Sequence, residues 1–108
     1  MQQWLYLIFA IVFEVAGTTA MKFSDGFTKT VPSIVMFVFY ILSLVALTYA
    51  LKKIDMSMAY AVWAGVGTAL ITIVGIVFFK EPSSMLKIVS IVFIIAGVVG
   101  LHLSGETA

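Results

Sequence analysis

Apolar residues in this chain fall into four long runs, 4–21, 31–51, 56–79 and 85–103, of 18, 21, 24 and 19 residues. Coiled as α-helices these runs are about 27 to 36 Å long, enough to cross a hydrocarbon core of ~30 Å. The spacers between them are brief and polar. Residues 22–30 carry Lys22, Asp25, Gly26 and Lys29, residues 52–55 carry two lysines and Asp55, and residues 80–84 carry Lys80, Glu81 and Pro82. Pro32 fits the first turn of the second helix, where its missing N–H does no harm, and Pro82 fits a loop. Spacers this short force neighbouring helices antiparallel. The pattern therefore predicts an all-α membrane protein, with residues 1–108 forming a single domain of four transmembrane helices.

Composition strengthens that reading. Of the 108 residues, 63% are hydrophobic and only 10% charged, which leaves too little polar surface to keep a soluble domain of this size dissolved. The net charge is +1, carried by six scattered lysines and no arginine, and this makes no basic stripe for nucleic acid. With no cysteine, disulfides, thiol catalysis and thiolate metal sites are excluded. The first run has no basic segment before it and no small-residue cleavage site after it, so it is expected to be a retained helix rather than a cleaved leader. Four spans put both termini on one side. Lys52 and Lys53 lie on that side, while Lys22, Lys29, Lys80 and Lys87 lie on the other. Two against four is a slight preference for termini outside, or insertion in both orientations.

Glu14 is the one charge between Trp4 and Met21. A charged residue near the centre of a membrane helix costs about 2.5–3.5 kcal/mol, and Leu or Gln would avoid that cost. An acid kept in such a place is by default an ion site or a proton relay. Its helix face also holds Leu7, Ala10, Gly17, Thr18 and Met21, and the glycine and threonine allow a neighbouring backbone to come close. No basic residue lies within any span to pair with it, apart from Lys87 near the start of the fourth. The plainer alternative is an acid that only hydrogen-bonds a partner helix.

Aromatic and small residues recur on the other spans. In the third, Tyr60, Trp63, Ala64 and Gly67 share a face, and the two aromatics could wall an organic cation. An interfacial aromatic belt is the competing reading for Tyr60; Trp63, seven residues past Met56 and about 10 Å deep, suits it less. Gly65 and Gly67 permit either a bend or close helix packing. In the second span Tyr40 and Ser43 share a face with Met36 and Leu47, and the Tyr40 hydroxyl is expected to reach Glu14 or a backbone carbonyl. Ser90, Ala96, Gly97 and Gly100 make the fourth span a candidate helix-association seam, or else an intrachain packing face. His102 reads as an interfacial side chain. There is no metal-ligand cluster, no nucleophile–base pair and no phosphate-cradling loop, so neither an enzyme nor a cofactor or metal site is expected. Four helices cannot easily enclose a pathway alone, and the chain has no convincing internal repeat. Two copies inserted in opposite orientations would supply the inverted symmetry on which larger transporters are built.

Two segments carry a specific resemblance. Glu14-Val15-Ala16-Gly17-Thr18-Thr19, followed by residues 21–28, and Ala59-Tyr60-Ala61-Val62-Trp63-Ala64-Gly65-Val66-Gly67 resemble the small multidrug resistance transporters, and the likeness extends over all four spans. The resemblance implies an antiparallel homodimer in the inner (plasma) membrane that exports hydrophobic or quaternary ammonium cations in exchange for protons. Carried over by position, Glu14 would bind proton and substrate in turn. Trp4 (a position often filled by tyrosine in multidrug-type members), Tyr40, Tyr60 and Trp63 would line the pocket, with Ser43 adjoining it. Gly65 and Gly67 would form the bend, and the fourth helix, with Ser90, Ala96, Gly97 and Gly100, the dimer seam. The family also contains guanidinium exporters, which typically place a tryptophan three residues after the central acid, where this chain has Gly17. The run Phe79-Lys80-Glu81-Pro82, in contrast, is more like those exporters. A guanidinium exporter, a subunit paired with a non-identical paralogue, a non-transporting subunit and a passive channel are the rival expectations.

Overall fold

The computed structural model describes residues 2–104. Its elements are α1 (Gln2–Phe23), α2 (Thr30–Ala50), α3 (Met56–Phe78) and α4 (Met85–Leu103), with no strand among the described residues. All four helices are long and apolar enough to cross a membrane, and their ends lie within two residues of the hydropathy runs. Two compact units result, one built on α1 and α2 and the other on α3 and α4.

In the first unit the helices run antiparallel, as successive contacts show. Tyr6 stacks on Tyr49 at 5.3 Å and Phe13 on Phe39 at 6.0 Å between ring centroids, and between them Ser43 meets Ala10. The buried positions are Leu7, Ala10, Ile11, Gly17 and Ala20 on α1 and Met36, Ser43, Ala46 and Ala50 on α2. Most are small, which lets the backbones approach and gain dispersion contacts where lipid offers no hydrophobic drive to association. The large apolar side chains point the other way: Phe37 and Ile41 are 56% and 61% exposed, as a lipid-facing surface requires.

Ser43 is the polar link across this seam. It is buried, and its hydroxyl donates to the Ala10 carbonyl at 2.7 Å. Ser43→Ala is expected to lower the unfolding free energy in detergent by about 1 kcal/mol, the scale of an interhelical hydrogen bond in a membrane. An unchanged denaturation midpoint would show that the bond has no net worth.

In the second unit α4 packs closely against Gly65 of α3. A Cβ built there would lie 2.5 Å from Cγ2 of Val98 on α4, so only glycine admits that contact. Helix α3 runs unbroken through Gly65 and Gly67. Its end is closed by Lys80 in the left-handed region (φ 54°), while the Gly75 carbonyl accepts the N–H groups of Phe79 and Glu81 at 3.2 and 3.0 Å. The Glu81 carboxylate occupies the space a Gly75 side chain would need. Helix α4 opens on Ser84, whose hydroxyl accepts the Lys87 N–H at 3.1 Å, a side-chain N-cap.

Candidate functional site

The helical period sets Thr18 one turn beyond Glu14 on the same face. Its hydroxyl donates to Glu14 Oε2 at 2.7 Å, and Thr18 Oγ1 also lies 2.7 Å from the Tyr40 hydroxyl on α2. Glu14, Thr18 and Tyr40 thus form one chain of hydrogen bonds, all half-buried. Tyr40 was expected to meet Glu14 or a backbone carbonyl directly; it reaches the acid through Thr18 instead. Gly17 makes this possible. A Cβ at Gly17 would stand 2.7 and 2.8 Å from two ring carbons of Tyr40, so the ring rests on bare backbone.

The remaining α1 and α2 candidates sit apart from this chain. The hydroxyl of Ser43 is committed to the Ala10 carbonyl. Trp4 is half-buried, ten residues or about 15 Å of helix before Glu14.

In the second unit Tyr60 and Trp63 touch edge to face, centroids 5.4 Å apart and planes at 64°. Tyr60 is mostly exposed and Trp63 half-buried. Trp63 Nε1 is buried with no hydrogen-bond partner among the described residues. An indole N–H in that condition is a donor held ready, because leaving it unpaired in apolar surroundings is costly. On α4, Ser90, Ala96, Gly97 and Gly100 are all exposed, and a Cβ at Gly97 or Gly100 would meet nothing within 4 Å. These small residues are not used to pack α4 within its own unit.

Thr18 is a candidate site residue that its helix face alone does not single out. Its place on the Glu14 face counted as a small-residue contact, whereas the decisive property is its hydroxyl. A Glu followed four residues later by Thr, inside an uncharged run, is the signal that identifies it.

Four membrane-crossing helices carrying one intramembrane carboxylate define a small multi-pass membrane protein. A family model described as Small Multidrug Resistance protein matches residues 2–94, and the chain belongs to that family. Among its relatives, the uncharacterized membrane protein YvaE of Bacillus subtilis is 57% identical over 105 residues, covering 97% of this chain and 88% of YvaE. The quaternary ammonium compound-resistance protein QacC of Staphylococcus aureus is 40% identical over 104 residues, 96% of this chain and 97% of QacC. A guanidinium exporter of Yersinia pseudotuberculosis is 39% identical over 101 residues, 94% of this chain and 97% of the exporter. The protein is therefore a multi-pass protein of the bacterial plasma membrane, in a family of transporters rather than enzymes.

Proposed function

We propose that this protein exchanges protons for hydrophobic or quaternary ammonium cations, with Glu14 binding one or the other. The observation that carries this reading is the hydrogen-bond chain from Glu14 through Thr18 to Tyr40. Thr18 and Tyr40 each own a single hydroxyl proton. When Glu14 is ionised, Thr18 spends its proton on Oε2, and Tyr40 must then donate to Thr18. When Glu14 holds a proton, it can donate to Thr18, Thr18 to Tyr40, and the tyrosine proton is released for other work. The occupancy of Glu14 thus sets the direction of the Tyr40 hydroxyl one helix away. A bound cation and a bound proton leave the pocket wall in two different states, as exchange by competition requires.

Two copies inserted in opposite orientations form the transporting unit in this reading. The outward-facing small residues of α4 offer the seam. A second copy also supplies acceptors for the Trp63 indole N–H, and a second Glu14. Tyr60 and Trp63 supply aromatic faces that attract a delocalised cation.

Guanidinium export is the second reading. Overall identity does not decide between them, since the quaternary ammonium and guanidinium relatives differ by a single percentage point. Gly17 supports the first reading: the Tyr40 ring fills the space that a tryptophan at that position would take. The run from Phe79 to Pro82 supports the second. Uptake of tetraphenylphosphonium and guanidinium by proteoliposomes, side by side across an imposed pH gradient, separates them. Gradient-dependent tetraphenylphosphonium transport is expected, with guanidinium transported weakly or not at all. The reverse preference would establish the second reading. Flux indifferent to the gradient would mean a channel, and no flux or binding a non-transporting subunit.

A further inference from the structure

A polar cavity lies at the opposite end of the α1–α2 unit from the loop joining those helices. It has a volume of about 510 Å³ and is lined by Gln2, Gln3, Tyr6, Tyr49, Lys52 and Lys53. The set contains two full positive charges and no carboxylate. Its wall is fixed: the Tyr6 and Tyr49 rings stack at 5.3 Å with 28° between planes, and the Lys52 ammonium sits 5.0 Å above the Tyr49 ring. The backbone is fixed as well, because the Lys52 and Lys53 N–H groups already donate to the carbonyls of Tyr49 and Ala50 at 3.2 Å each. What remains to be satisfied is the charge of the two lysines, neither of which pairs with a carboxylate among the described residues.

We infer that this cavity binds the phosphodiester headgroup of an anionic phospholipid. Tyrosines and lysines at the end of a transmembrane helix pair stand at headgroup level, and basic pockets between such helices suit phosphate groups. A lipid, rather than a free phosphate ion, is indicated by what lies below. One turn toward the membrane centre from Tyr6 is Phe9, and one turn from Tyr49 is Val45; they are 53% and 49% exposed. A headgroup seated between the lysines lays its acyl chains along those two side chains. The other end of the same helix pair makes a useful contrast. The cavity there, about 340 Å³, is lined by Ala20, Phe23, Val31, Pro32 and Val35 with one lysine, Lys29, and lacks the charge pair.

The test is retention of lipid by the purified full-length protein, read by native mass spectrometry after mixing with equal amounts of phosphatidylglycerol and phosphatidylcholine. The protein is expected to keep phosphatidylglycerol preferentially. Lys52→Gln and Lys53→Gln should each reduce that preference about fivefold, the effect of one charge at a membrane surface, whereas Lys29→Gln should leave it unchanged. Inorganic phosphate at millimolar concentration should not displace the lipid. The same preference should survive in Glu14→Gln, so lipid binding is read independently of transport. Equal retention of the two lipids by the unaltered protein, which needs no variant to fold, would overturn the inference. So would displacement by inorganic phosphate, or a loss in Lys29→Gln equal to that in the Lys52 and Lys53 variants.

Discussion

Glu14→Gln is expected to fold and insert as the unaltered protein does, and to lose proton-dependent cation binding altogether. Glutamine fills the volume of glutamate, and its carbonyl oxygen can accept the Thr18 hydroxyl that now bonds Oε2. It also removes a charge whose burial in a membrane is costly, so insertion is not impaired. The substitution deletes only the negative charge and the site of protonation. Binding of tetraphenylphosphonium to reconstituted protein, titrated from acid to neutral pH, should change from strongly pH-dependent to weak and flat. Uptake driven by a proton gradient should cease. Coupled transport that persists in Glu14→Gln would remove Glu14 from the mechanism and with it the proposed function.

Thr18→Val should produce the next largest effect. Valine keeps the β-branched shape and the packing of α1, but the carboxylate loses its donor and Tyr40 loses its link to the acid. A hydrogen bond to a charged group is worth ~1.5–3 kcal/mol. A cation must then displace the same proton from a carboxylate whose ionised form has lost that bond. Affinity at fixed pH should fall about tenfold, the lower end of that range. Thr18→Ser restores the hydroxyl and should restore binding, which a purely steric role for Thr18 would not predict. The Tyr40 hydroxyl gives a second readout. Its change between donor and acceptor as Glu14 is titrated, seen in the tyrosine ultraviolet Raman doublet by difference from Tyr40→Phe, should vanish in Thr18→Val. Equal affinity in the Val and Ser variants would mean that the chain of hydroxyls carries nothing.

The resemblance implies a pocket at Glu14 lined by Tyr40 with Ser43 adjoining it, and in the folded protein the three side chains have different hydrogen-bond partners. Glu14 and Tyr40 are joined through a third residue, while Ser43 spends its only proton on the Ala10 carbonyl across the same helix seam. Helix-face arithmetic could not separate these outcomes. Tyr40 and Ser43 share a face at three-residue spacing, and which of them meets a side chain and which a backbone oxygen depends on the register of α2 against α1. The two readings left open for the fourth span divide for a similar reason. Small residues serve helix contact in either case, and only the folded unit shows that α3 receives Val98 at Gly65 while Gly97 and Gly100 face outward.

The sequence by itself determined the four spans, their short connections and the presence of one acid within them, because hydrophobic run length and the cost of an intramembrane charge are local properties. Tertiary structure alone decided how that acid is linked to the neighbouring helix. The Tyr40 ring settles on α1 because Gly17 leaves it room, and that contact brings its hydroxyl to Thr18 rather than to Glu14. The 2.7 Å contact between Thr18 and Tyr40 is set by how two helices seat against each other, and no pattern within one helix encodes that seating.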